Sequence, residues 1–288
     1  MLQTFIEHDI GLFQLRFPRK TVSKSLPLTD FRAVRKVLEP HEFATGGEEI
    51  PPTNLVDPTV WDGIMHLPDD VAIKISDHNG TRLELLYTLW GDWITAIGTP
   101  DSPDELFNCM LDAADCFQCT TFDFLHGYYR SALSNLRAAL ELVAIGTYGN
   151  IDPSNKEYRG WKNGAADMTF LGSLRRLHKR LGKKSGGWLL KQAEFPEKAY
   201  YDLCRFAHSR PDSSDGALWK SNGPVYNNAA IQMVFYMSLR IYAICYLLIK
   251  FARPAFTLPV DSRILFELEW LPNHGETLRA FEELYAAN

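Results

Sequence analysis

Residues 121–147 read T-F-D-F-L-H-G-Y-Y-R-S-A-L-S-N-L-R-A-A-L-E-L-V-A-I-G-T. Leu125, Tyr129, Ala132, Leu136, Ala139, Leu140 and Val143 recur at steps of three and four, so on a helix they share one face. Arg130, Ser134, Arg137 and Glu141 share the opposite face. The spacing predicts one amphipathic helix over 121–147, with Gly146 and Gly149 as places to stop. It is the strongest helical signal in the chain.

Upstream, Ser102-Pro103-Asp104-Glu105 reads as a helix start: a cap, a proline at the first helical position, then acids in the first turn. Downstream, Phe170, Leu174, Leu177 and Leu181 predict a second helix over 165–181. A third runs from Glu197 to His208, with Pro196 near its first turn. A polar loop, 212–223, follows. Pro224 then precedes a long apolar segment, Ala229 to Ala252, which is long enough to cross a bilayer. Arg240 stands at its middle, where a charge would cost about 2.5–3.5 kcal/mol on insertion scales. No second comparable span exists, so a buried core helix is the expectation and no membrane is expected as a partner.

Residues 1–100 differ. Pro40, Pro51, Pro52, Pro58 and Pro68 argue against long helices there. Thr29 or Asp30 can cap a short helix through Phe31, Val34 and Leu38. Val71–Ser76 alternates as V-A-I-K-I-S, Asn79-Gly80 follows, and Arg82–Trp90 is a second apolar run. Asn-Gly between such runs predicts a β-hairpin, with a third strand at Asp92–Ile97. Another strand is expected at Ile264–Leu268 and a last helix near 275–285. The fold class is therefore α+β, mainly α. A helical bundle occupies 101–252, preceded by an N-terminal α+β region over 1–100 and followed by a C-terminal extension, 253–288.

The 288 residues are 46% hydrophobic and 23% charged, so a sizeable core is available. The net charge of -5 excludes a wholly basic nucleic-acid binder. Five scattered cysteines fit reduced thiols in a cytoplasmic setting, not a disulfide framework. The N-terminus lacks the basic and apolar regions of a secretory signal. Cys116-Phe-Gln-Cys119 has no partner pair for zinc, and with Cys109 it is expected to fill core space. No metal or other cofactor is expected.

On the third helix Tyr201, Arg205 and His208 line up, with Lys198 one turn earlier and Leu203, Phe206 and Ala207 on the other side. An Arg/His pair suits metal-independent RNA cleavage. A neutral imidazole can take the proton of a ribose 2′-hydroxyl, and a guanidinium can brace the phosphoryl oxygens. Arg210 offers a second phosphate clamp, and Tyr201 can orient the imidazole. The same residues also suit an ordinary helix end, where cations complement the dipole. Between Lys156 and Lys191 stand ten Lys/Arg against Glu157 and Asp167, a local charge of +8 in an acidic protein. Within this run Arg175, Arg176, Lys179, Arg180, Lys183 and Lys184 form either a phosphate-binding footprint or a solvated helix face. Trp219 either stacks a base or anchors its loop.

The order of helices over 103–252 resembles the HEPN superfamily of all-α domains found in toxin–antitoxin, abortive-infection and RNA-processing proteins. The resemblance is carried by G-Y-Y-R-S-A-L-S-N-L-R-A-A-L-E-L-V at 127–143, L-C-R-F-A-H-S-R-P at 203–211, and the polar loop leading into a last apolar helix. It implies an RNA-directed effector of a toxin or antiviral defence system, a homodimer or a complex with a partner protein, and His208 as the motif histidine. Catalytic members carry R-x4-6-H, whereas Arg205 gives R-x2-H. The alternative from the same resemblance is a non-catalytic scaffold or sensor subunit that contacts nucleotide or a partner chain.

Overall fold

The computed structural model describes residues 58–98, 104–181, 194–207, 223–268 and 274–285. These form nine α-helices and one 3-10 turn, with no strand among the described residues. The helices are α1 (Pro58–Ile97), α2 (Glu105–Leu125), α3 (Tyr129–Ile151), α4 (Lys156–Lys162), α5 (Phe170–Leu181), α6 (Glu194–Ala207), α7 (Asn228–Ala252), α8 (Ile264–Glu267) and α9 (His274–Tyr285). The chain divides into compact units at 1–64 and 65–288. Of the first unit only 58–64 is described, and the following concerns the second. Among the described residues after Arg253, α8 and α9 pack on α7.

The expected hairpin and its third strand are helical instead. Val71, Ile75, Leu86, Leu89, Trp93 and Ile97 are all buried, and their steps of three and four are those of a helix face. Six residues of V-A-I-K-I-S were too few to tell a period of two from a period near four. The Asn-Gly signal survives as a kink: Asn79 alone leaves helical geometry, at φ -134 and ψ 25. Its Oδ1 accepts from Arg82 Nη1 at 2.5 Å. Pro68 lies inside α1 without ending it. The segment at Ile264–Leu268 is likewise not a strand but a 3-10 turn and a single α-helical turn. The short helix expected through Phe31–Leu38 lies outside the described residues.

The helix expected over 121–147 is broken into α2 and α3 at Gly127. This residue has φ 76, which disfavours any side chain, and a Cβ there would lie 2.7 Å from the backbone of Val225. The break turns one long helix into an antiparallel pair, which buries two apolar faces against each other. Asp104, not Ser102, caps α2, accepting from the Phe107 amide. Arg253 also holds Asp104, through Nη2 at 2.7 Å and Nε at 2.8 Å. Burial pushes the Asp104 carboxyl up, but this guanidinium and the Phe107 amide outweigh it and hold the group below its ordinary value.

α3 is the axis of the bundle and packs against α2, α4, α5, α6 and α7. Its inward residues Tyr129, Ala132, Leu136, Ala139, Leu140 and Val143 are fully buried, as the spacing predicted. α7 runs parallel to it. At one end Tyr129 Oη donates to Val225 O at 2.7 Å, and at the other Asn150 Nδ2 donates to Ala252 O at 3.0 Å. α7 is long and apolar enough to cross a membrane, with a mean hydropathy of 1.5, yet 94% of that window is buried in the fold. Its rings join those of α1 and α2: Tyr242 stacks on Phe117 at 3.9 Å, and Trp93 meets Phe117 edge-on at 4.9 Å.

Two outcomes follow. Gly127→Ala should lower stability by about 1–3 kcal/mol in urea denaturation, from positive φ and crowding of Val225; an unchanged midpoint would refute the tight approach. The second concerns pH. Burial pushes the Tyr129 phenol up to about 12 and raises Tyr158, Tyr242, Tyr246 and Tyr285 as well. The folded state then holds protons that the unfolded state, with a phenol near 10, releases. This stabilisation is complete below about pH 10 and falls as pH rises, by about 1.4 kcal/mol per pH unit per phenol. In circular dichroism titrations Tyr129→Phe should show a shallower alkaline decline than wild type.

Candidate functional site

α6 is 14 residues long, too short to persist alone in water. Its apolar face supplies the stability: Ala199 and Leu203 are fully buried and Phe206 is nearly so. Burying a Leu or Phe side chain is worth roughly 1.5–3 kcal/mol. The opposite face carries Lys198, Tyr201 and Arg205, all exposed. This is the two-faced helix that the spacing predicted. Arg205 lies in its last turn, where a cation faces the negative end of the helix dipole.

Two polar contacts hold the element in place. Tyr200 Oη donates to Glu141 Oε1 on α3 at 2.7 Å and accepts from Arg137 Nη2 at 3.3 Å. Arg137 also pairs with Glu141 at 3.1 Å and lies over the Tyr200 ring. Burial, followed by the Glu141 hydrogen bond, raises the Tyr200 phenol above its ordinary value, so it stays a neutral donor at physiological pH. On the other side Asp202 Oδ2 pairs with Arg240 Nη1 of α7 at 3.1 Å. The i,i+4 spacing of Arg137 and Glu141 was visible in the sequence. Their partner, 59 positions on from Glu141, was not.

The expected basic footprint lies elsewhere. Phe170, at the start of α5, stacks on Tyr200 at 4.6 Å, which places it beside the middle of α3. Arg180, near the end of α5, pairs with Asp152 just beyond α3 at 3.2 Å. α5 therefore runs parallel to α3 and α6 runs back along it, bringing Cys204 close to Arg137. Eleven residues separate Glu141 from Asp152, about 16 Å along a helix. Arg205 thus points toward the Gly127 end of the bundle, while Arg175, Arg176, Lys179 and Arg180 gather at the opposite end. Arg176 is ion-paired with Glu157, and Arg175 and Lys179 are exposed. The structure does not bring the two groups into one site. His208, Arg210, Lys183, Lys184 and Trp219 lie outside the described residues.

The cysteines divide along α2. Cys109 is buried, Cys116 half-buried and Cys119 exposed, so only two of the three fill core space as expected. Burial pushes the Cys109 thiol up to about 12 and the Cys116 thiol to about 11. A reactive C-x-x-C needs a lowered pKa, so Cys116 has the wrong environment for thiolate chemistry. Among the described residues no group of three or more His, Cys, Asp or Glu side chains gathers as metal ligands would. An open depression of about 440 Å³ follows the α1 kink, lined by Ser76–Arg82.

Comparison with known protein families, with curated proteins and with solved structures finds no match to this chain.

The docking of α6 is testable without any activity. Asp202→Ala would leave the nearly buried Arg240 without this carboxylate. Breaking a fully buried pair costs about 3–5 kcal/mol, and exposure of Asp202 reduces that here to about 2 kcal/mol. Asp202→Asn, which keeps an acceptor, should lose less. Equal losses in chemical denaturation would mean that the charge of Asp202, not its capacity to accept a hydrogen bond, holds Arg240, and no loss in either variant would refute this anchor.

Proposed function

We propose that the chain is a HEPN-like, RNA-directed effector of a toxin or defence type, acting as a metal-independent endoribonuclease from the exposed face of α6. One observation carries the reading: α6 is fixed to the bundle by Leu203, Phe206, Tyr200 and Asp202, while Lys198, Tyr201 and Arg205 stand free in solvent on its other side. A cationic face on a rigid support is what phosphate positioning requires.

In this reading the neutral imidazole of His208 takes the proton from a ribose 2′-hydroxyl. The 2′-oxygen attacks the adjacent phosphorus, and the bond to the 5′-oxygen of the next nucleotide breaks. The imidazolium returns its proton to that leaving oxygen, and the other product carries a 2′,3′-cyclic phosphate. Arg205, with Arg210, holds the phosphoryl oxygens as charge builds on them. A homodimer would pair two such faces across one RNA. Reduced cysteines suit a cytoplasmic location.

A second reading, a non-catalytic scaffold or sensor subunit, is favoured by the R-x2-H spacing and by the distance between α6 and the basic end of α5. The two readings separate in a cleavage assay of purified protein in EDTA with single-stranded RNA. The nuclease reading expects wild-type cleavage to 2′,3′-cyclic ends, a fall of about 10²–10⁴-fold in His208→Ala, and a comparable loss in Arg205→Ala. Intact RNA in the wild type supports the scaffold. Cleavage that persists in His208→Ala rejects this site.

A further inference from the structure

The basic end of the bundle is a composite that the residues of α5 alone do not explain. The turn Asp152–Asn155 connects α3 to α4, a short helix the sequence reading did not anticipate. Three arginines converge on this corner. Arg159 Nε of α4 donates to Pro153 O at 3.2 Å, Arg180 of α5 pairs with Asp152, and Arg176 of α5 pairs with Glu157 of α4. Both acids are therefore engaged from within, each by one arginine. Asp152 is mostly covered, whereas the side chain of Arg180 remains 57% exposed. Around this knot Lys156 and Arg159 of α4 and Arg175 and Lys179 of α5 are exposed. Arg175 and Lys179 are four positions apart and so stand side by side on one helix face.

We infer that the α4–α5 corner is a separate binding surface for the phosphate backbone of single-stranded RNA, formed by Lys156, Arg159, Arg175 and Lys179 and remote from the Arg205 face. The identification of the polyanion as RNA rests on the function proposed above. The surface itself rests on geometry: exposed cations from two helices joined by the Arg176–Glu157 pair, with Asp152 engaged by Arg180. In a chain of net charge -5 such a corner gathers a local positive field. Along α3 the corner at Asp152 lies eleven positions, about 16 Å, beyond the level of Tyr200, and Arg205 lies on the far side of Tyr200, so the corner would hold a stretch of substrate other than the one at Arg205.

The test is fluorescence anisotropy of a labelled oligouridylate against full-length protein, titrated over a range of NaCl concentrations. Each phosphate neutralised contributes about 0.7 to the slope of log K against log salt for single strands. Arg175→Ala/Lys179→Ala should therefore reduce the slope by about 1.4 and weaken binding about tenfold at moderate salt. Lys156→Ala/Arg159→Ala should do the same. Arg263→Ala, an exposed cation on the 3-10 turn, should change neither. Circular dichroism confirms that each variant is folded.

Wild-type slopes in both double variants would overturn the inference, as would absence of RNA binding by the wild type at low salt. An equal effect of Arg263→Ala would reduce the surface to net charge alone and also overturn it. Displacement of RNA by polyglutamate at equal charge concentration would assign the corner to acidic proteins instead. Salt-dependent binding through this corner without any cleavage would sustain the inference while the nuclease reading failed.

Discussion

A guanidinium inside the apolar core constrains this fold most. α7 is buried along nearly its whole length, and Arg240 sits within it at 6% exposure. A charge so placed must meet an opposite charge or the helix cannot occupy the centre. Asp202 of α6 supplies one. Lys250, ten residues further along α7, has the same problem and a different answer. It donates to Phe256 O at 2.9 Å and lies over the Tyr285 ring of α9. Burial lowers its ammonium below the ordinary value, as expected for a cation offered a carbonyl and a ring but no carboxylate. The two charged residues of the core helix thus dictate where two other elements attach: α6 in one case, the chain after Arg253 in the other. Ser262 completes the tail's attachment, donating to Asp92 Oδ2 on α1 at 2.7 Å.

α3 turns these attachments into a layout. Because α5 runs along it and α6 runs back, charged residues close together in sequence are carried to opposite ends. Arg180 and Arg205 are 25 positions apart with one helix reversal between them. The charge count over 156–191 did not say where that run lies relative to Arg205. The topology sets the two toward opposite ends of α3, with different neighbours.

The residues at periodic positions were legible. On α3, α5 and α6 the steps of three and four picked out inward residues that are buried, among them Leu136, Leu140, Phe170, Leu174, Leu177, Leu203 and Phe206, because each helix has enough apolar positions to fix the period. The apolar segment before Arg253, expected to be a core helix because no second comparable span exists, is buried in the fold. What failed depended on contacts distant in sequence. Nothing local distinguishes Gly127 from a glycine tolerated within a helix. The close backbone of Val225, 98 positions later, makes it a break. The V-A-I-K-I-S alternation and the Asn-Gly pair favoured a hairpin locally, and tertiary burial of Ile75, Leu86 and Trp93, the last against Phe117 of α2 and Tyr242 of α7, overrode both. At the candidate site the exposed face of α6 was legible in Tyr201 and Arg205. Its support by Glu141 and Arg137 was not, since a tyrosine on one helix does not announce its acceptor on another.

These facts bear on how the α6 face is controlled. The helix is short, and its three anchors are chemically distinct: apolar burial at Leu203 and Phe206, a neutral phenol donating to Glu141, and a carboxylate paired with Arg240. The apolar contacts are tolerant of rotation, since they are non-directional. The two polar contacts are directional, and they lie within a single turn, at Tyr200 and Asp202, on flanks of α6 that face different partners. Together they fix the rotation of the helix about its axis, and hence where Arg205 points. A change at Glu141 or Arg240 would therefore move the exposed cation without touching it. The orientation of that face is a property of α3 and α7, set by residues 38 to 63 positions from the side chains they hold.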